Sequence, residues 1–305
     1  MIARRPREQA FDLAHQSAYA LGSRSAVRFP MSNPLTMKLE QFTRFDQNER
    51  MRLDELLAYP TKTYARGQDI IAQGEKVEDI HLVLTGLAAR SKVLRNGDRQ
   101  LMALLVPGDL CDLEVFVLEA MDHSIVAMAQ TTCVLIPAKV IRELLTESST
   151  LTQALWWSTM IDSAILREWI VDQGKRDAFE RIAHLCYEML VRYRVVGQTT
   201  DDTIPFHLTQ EDLSDAMGVT PIHANRMLMK LREDGLISLK SKVLTVLDAP
   251  RLKKVARFES NYLHLVRTNE GDREVSGRAG DLVSSSEHGL VHDAVEKVKS
   301  VLKKT

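Results

Sequence analysis

The sequence predicts an α+β fold: an antiparallel β-roll, one long helix, then a small helical part ending in a hairpin. Three observations carry this expectation. Between Tyr64 and Pro137, short β-like runs alternate with turn residues. From Leu151 to Gly174 the apolar period turns helical and covers nearly the whole girth. From Leu208 to Ile237, "LTQEDLSDAMGVTPIHANRMLMKLREDGLI" holds two short helical patterns broken at Met217-Gly218-Val219.

In the first part, "DIIAQGE" ends at Gly74 and "DIHLVLTG" at Gly86. Asn96-Gly97, between "ARSKVL" and "QLMALLV", is a hairpin signal because both residues tolerate positive φ. "HSIVAMAQTTCVLIP" supplies two more strands. Ahead of them, "KLEQFTRFDQNERMRLDELLAYP" reads as one short helix stopped by Pro60. Residues 34–150 are therefore assigned to a β-roll sensor domain. Residues 1–33 mix Arg, Ser and small residues without a period and read as a disordered arm.

Residues 151–174 form the expected dimerisation helix. A helix apolar on all sides must be buried on all sides. Asp162, Arg167 and Glu168 make it too polar for a membrane. The preferred reading packs one face on the roll and the other on the same helix of a second chain; the alternative is a helix buried within a single chain. Gly174 breaks the helix. Residues 175–265 follow as a winged helix-turn-helix domain, opened by the helix "RDAFERIAHLCYEMLVRYRV". Residues 266–305 read as a linker and a short C-terminal helix with one apolar face.

At 305 residues the chain can hold two domains, each with its own core. The net charge of −1 advertises no polyanionic partner, so any such signal must be local. No apolar run matches a membrane span, and the N-terminus lacks the apolar core of a secretory signal. Cys111, Cys133 and Cys186 are scattered, which fits a reducing cytoplasm and argues against disulfides or structural zinc. Neither a cofactor nor a metal is expected. His184 and the three tryptophans read as core or interface.

The 208–237 stretch is informative residue by residue. Thr209, with Asp212 three positions on, makes a capping-box pattern, and Gly218 supplies the turn. Thr220 caps the second helix, Pro221 fills its first position and Gly235 ends it. Ala224, Met227, Leu228 and Leu231 share one face and must point at a core. The other face presents Ile222, Arg226 and Met229, flanked by His223, Asn225 and Lys230. A rigid helix with its tip outward is what reading a major groove requires. Arg pairs bidentately with guanine and Asn with adenine, each discriminating by roughly 1–3 kcal/mol. Lys230, Lys240 and Lys242 are placed to meet phosphates. "SLKSKVLTVLD" behind them reads as the wing.

The order of roll, long apolar helix and winged helix-turn-helix resembles the CRP/FNR family of bacterial transcription regulators. The resemblance spans about Asn33 to Leu265. It rests on Gly74, Gly86 and Gly108, "PGDLCDLEVFVLEAMDHS", and the "LTQEDLSDAMGVTP…NR" stretch. It implies a cyclic-nucleotide-binding-like roll and a homodimer on palindromic double-stranded DNA, with RNA polymerase as a further partner. Base-contacting positions carry over to Pro221, Ile222, Asn225 and Arg226, of which Arg226 and Asn225 have suitable chemistry.

The departures bear on the signal. Members that bind cyclic AMP use a glutamate for the ribose and an Arg-Ser pair for the phosphate. Aligned from Gly108, those positions are Leu113, His123 and Ser124, and only the serine survives. A neutral histidine replaces a bidentate guanidinium poorly. Iron–sulfur members need four clustered cysteines, and this chain has three. Cys111 with His123 on one loop keeps a haem- or thiol-responsive member open as an alternative, beside a cyclic-nucleotide-responsive one. The effector stays unassigned. An enzyme is the rival class, but no nucleophile elbow, phosphate-binding loop or paired-histidine motif is present.

Overall fold

The computed structural model describes residues 33–116 and 119–265, with backbone alone at Glu114 and Val115. Apart from Asn33, the segments read as an N-terminal arm and a C-terminal linker with helix lie outside the described residues.

Asn33 caps helix α1 (Pro34–Leu39), its side chain accepting from the Leu35 and Thr36 amides. Asp46 then opens α2 (Gln47–Glu55) with a capping box completed by Glu49. The single helix expected before Pro60 is thus two, followed by a 3-10 turn at Leu56–Ala58. The physical reason is Asp46: its carboxylate accepts from the Glu49 amide and Glu49 accepts from the Asp46 amide, so a new helix begins there.

Among the described residues the roll comprises seven strands: β1 (Thr61–Tyr64), β2 (Asp69–Ile71), β3 (Asp79–Thr85), β4 (Ala88–Val93), β5 (Arg99–Leu105), β6 (Ser124–Ala127) and β7 (Thr131–Pro137). They form two antiparallel sheets of order β1-β7-β3 and β2-β6-β4-β5. The Asn96-Gly97 turn is wider than a two-residue hairpin. Leu94 N donates to Asp98 O at 2.8 Å and Gly97 N to Leu94 O at 2.9 Å, with Gly97 at φ +91°. This is a three-residue loop with glycine in the left-handed position. At Gly86 (φ +91°) an added Cβ would lie 2.4 Å from the Gln130 carbonyl oxygen, so only glycine fits.

After α3 (Ala138–Glu147), helix α4 runs from Ser149 to Lys175. It ends one residue beyond Gly174. A glycine costs a helix about 1 kcal/mol but removes no hydrogen bond. Arg176, ion-paired back to Glu168 and Asp172, pins the last turn, and Asp177 starts α5 (Ala178–Val195) with its own capping box. Three short strands, β8 (Thr203–Pro205), β9 (Ile237–Lys240) and β10 (Val243–Val246), form a sheet of order β8-β10-β9 around α6 (Gln210–Met217) and α7 (Pro221–Glu233). Helix α8 (Ala249–Val255) and a 3-10 turn at Ser260–Leu263 follow.

The largest buried cluster runs without a break from Leu87, Leu104 and Val126 of the roll through Ile161 and Trp169 of α4. It continues to Leu185 and Met189 of α5 and Leu213, Leu228 and Leu244 beyond. Roll and C-terminal part therefore share a core around α5. No helix among the described residues is long and apolar enough to cross a membrane.

Candidate nucleic-acid interface

Helices α6 and α7 are held at their sharp angle by the residues between them. Thr209 Oγ1 accepts from the Asp212 amide, and the Asp212 carboxylate accepts in turn from the Thr209 amide. Gly218 adopts φ +63° and closes α6. The carbonyls that its last turn leaves without helical partners are met by Arg181 of α5, which donates to Met217 O at 2.6 Å, and by Gln173 of α4, at 3.4 Å from Ala216 O. Thr220 accepts from His223 N at 3.2 Å, and Pro221 takes the first helical position. Ala224, Leu228 and Leu231 are buried, with Met227 packed at the edge of the same core.

That packing decides which side of α7 faces out. Ile222 is 84% exposed, and Pro221, Arg226, Met229 and Lys230 are exposed with it, while His223 and Asn225 are half-buried. Lys230 is not a free cation: its Nζ lies 4.4 Å from the centroid of the Phe179 ring of α5. In the wing, Ser241 and Lys242 form a tight turn with φ +50° and +62°, between strands that pair Lys240 with Val243. Lys240 and Lys242 are both exposed at its tip.

Contacts the sequence did not reveal join this head to the roll. Arg99 of β5 donates to Asp212 Oδ1 and Asp215 Oδ2 of α6, each at 2.7 Å. Arg66 reaches the other Asp212 oxygen and the carbonyls of His207 and Met128. Burial works against the Asp212 carboxylate, yet the Thr209 amide, Arg66 and Arg99 outweigh it and hold its pKa below the ordinary value. Behind the clasp, six charges of alternating sign run between elements. Arg90 of β4 meets Asp162 of α4 (3.1 Å), which faces Lys38 of α1 (3.7 Å). Lys38 pairs with Asp109 (2.8 Å), Asp109 with Arg192 of α5 (2.7 Å), and Arg192 with Glu188 (3.4 Å). Glu188 in turn accepts from Tyr262 Oη (2.9 Å) and Trp169 Nε1 (3.3 Å). Removing one member of so buried a series strands the next. No sequence spacing announces it, because its six charges are spread from residue 38 to residue 192.

The sequence-designated effector positions lie in the roll. Cys111 is fully buried in its core, and a hydrogen bond with Cys133 together with burial pushes its pKa well above the usual thiol range. His123 is buried with Nδ1 2.5 Å from Asp122 Oδ1. Ser124 Oγ accepts from Gln73 N at 2.9 Å, and Leu113 is half-buried with no polar side-chain atom. Nearby Asp112 bonds both the His81 amide and its ring, at 2.8 and 2.7 Å.

An outward helix tip, a cationic wing and a nucleotide-binding-like roll sharing their core define a winged helix-turn-helix DNA-binding regulator. Residues 180–255 match the Crp-like helix-turn-helix domain and residues 61–148 the cyclic nucleotide-binding domain. The chain is 27% identical over 222 residues to the transcriptional activator protein FnrL of Cereibacter sphaeroides, covering 72% of this chain and 88% of the relative. It is 24% identical over 178 residues to the nitrogen fixation regulation protein FixK of Azorhizobium caulinodans, covering 58% and 71%. Among solved structures, FixK2 from Bradyrhizobium japonicum superposes with a TM-score of 0.58 at 21% identity, covering 64% of this chain and 96% of that one. A CRP-family transcriptional regulator from Thermus thermophilus gives 0.52 at 16% identity, covering 65% and 97%. The chain belongs to the CRP/FNR family and is a DNA-binding transcription regulator.

Proposed function

We propose that this regulator works as a homodimer that reads a palindromic promoter site with two copies of α7. The observation that carries the reading is the exposed front of that helix, Ile222 and Arg226 foremost, beside the lysine-tipped wing. Arg226 and Asn225 read bases. Thr209, Thr220, Pro221, Ile222 and His223 line the approach, and Lys230, Lys240 and Lys242 meet phosphates. The dimer seam is the outer stripe of α4. Trp156, Met160, Ile170 and Val171 are exposed in the single chain. Trp156, Met160, Ser163, Arg167, Ile170 and Gly174 recur at alternating steps of four and three, the spacing of a coiled-coil seam. Two α7 tips so held would meet half-sites about 34 Å apart. RNA polymerase is the further partner, and the cytoplasm the compartment.

The effector is not cyclic AMP. A cyclic phosphate needs a cation and a ribose needs an acceptor. At the corresponding positions His123 is engaged by Asp122, Ser124 by Gln73, and Leu113 offers nothing. Cys111 is fully buried and hydrogen-bonded with Cys133, and both push its pKa up, which disfavours the exposed thiolate that thiol sensing uses. The experiment is a genome-wide footprint of the bound protein with calorimetric titration of cyclic AMP alongside. Two-fold sites and no heat of binding are expected. Asymmetric, sequence-blind occupancy overturns the dimer reading, and micromolar cyclic AMP affinity overturns the account of the roll.

A further inference from the structure

We infer that Glu168, Asp172 and His184 form a binding site for a first-row divalent transition-metal ion at the joint between α4 and α5. Among the described residues these three are the group whose ligand atoms converge, one from each side chain within 4.8 Å of the others. Glu168 and Asp172 stand one turn apart on α4, so both carboxylates project from one face. His184 comes from α5, across the reversal at Arg176-Asp177.

The separations suit an ion. His184 Nδ1 lies 3.0 Å from Asp172 Oδ2, and one ligand atom from each of the three side chains lies within 4.8 Å of the other two. Ligands held about 2.0–2.2 Å from one metal stand roughly 3–4 Å from each other. A hydrogen bond does not explain the approach. Neither ring nitrogen of His184 makes one among the described residues, although the side chain is fully buried, and Asp172 Oδ2 is equally without one. The 3.0 Å contact is close but out of line. A neutral imidazole always carries one donor and one acceptor, so a fully buried ring that uses neither is costly unless something else occupies it.

The surroundings have the form of a second coordination shell. Arg176 donates to Glu168 at 2.8 Å and to Asp172 Oδ1, orienting both carboxylates while leaving Asp172 Oδ2 turned inward. Two carboxylates against one guanidinium leave a negative charge that a dication would more than neutralise. The Phe258 and Tyr262 rings, with centroids 5.3 and 6.0 Å from that of His184, close the far side. Glu168, partly exposed, gives the entry path. One imidazole with two carboxylates selects ions such as Zn²⁺ or Co²⁺ over Mg²⁺, which prefers oxygen and its own waters. Bound there, the ion would tie the last turns of α4 to the first helix of the DNA-binding part.

The test uses the full chain, stripped with chelator, and needs no DNA, so its outcome is separate from the reading of function above. Calorimetry with Zn²⁺ should give one equivalent per chain, and Co²⁺ should show visible bands of a nitrogen–oxygen ligand set. Mg²⁺ at the same concentration should bind at least about tenfold more weakly. Zinc at about a hundredfold excess over Kd should raise the unfolding midpoint by several degrees. His184→Gln and Glu168→Gln should each weaken binding at least about tenfold. Glu168→Gln alters the exposed member and serves if the His184 variant does not fold. No uptake above a buffer blank, or stoichiometry and affinity unchanged in a folded variant, overturns the site.

Discussion

Arg226 Nη2 lies 2.7 Å from His223 Nδ1, one turn earlier on the same helix. A guanidinium can only donate, so the imidazole accepts at Nδ1 and carries its proton on Nε2. The free protein thus parks the cation proposed to read bases on a neighbour that DNA would have to displace. Arg226→Ala should weaken operator binding by about 1–3 kcal/mol and relax sequence preference while the oligomer stays intact. Competition gel shifts with operator and scrambled duplex measure this, and an unchanged ratio removes the assigned reading face.

The wing places Ser241 and Lys242 in left-handed conformations where Asn-Gly would be the relaxed choice. A charged residue kept there at a cost of about 1–2 kcal/mol points to use of its charge. Lys242→Gly should raise stability by about 0.5–1 kcal/mol while weakening binding to all duplexes and lowering the salt slope by about 1. Urea melts and titrations at three salt concentrations separate the effects.

Asp212 links the clasp to pH. Its folded pKa lies below the unfolded value, so the folded state binds fewer protons in the window between them. Its contribution is present above about pH 4 and is lost as pH falls through the folded value. Arg99→Ala should cost about 1–2 kcal/mol at pH 6. The gap to the natural chain should shrink as both are acidified to pH 3. A gap independent of pH in urea unfolding argues that Arg99 acts by packing alone.

Ile170 is 71% exposed in the single chain, an unusual place for a large apolar residue on a buried-looking helix. Ile170→Asp should leave the fold intact, convert the dimer to monomer in sedimentation, and abolish operator binding. A dimer of undiminished affinity moves the seam elsewhere.

Local features were readable wherever the determining chemistry lies close in sequence. Thr209 with Asp212, Thr220 with Pro221, and Gly218 announce their helices because capping acts over three residues. The fold class, the outward face of α7 and the glycine turns followed from such signals and from period. Where two short-range signals competed, the reading erred: Asp46 started a second helix inside one apolar pattern.

What no spacing could express was convergence. Glu168 and Asp172 are visibly one turn apart, but His184 joins them only because the chain reverses at Arg176-Asp177. Arg66 and Arg99 find Asp212 from more than a hundred residues away. The sequence by itself determined which helices form and which faces are apolar, since backbone capping and hydrophobic period are local. The tertiary structure alone decided that roll and DNA-binding head share one core and which buried charges meet, because desolvated ions must find partners wherever packing brings them.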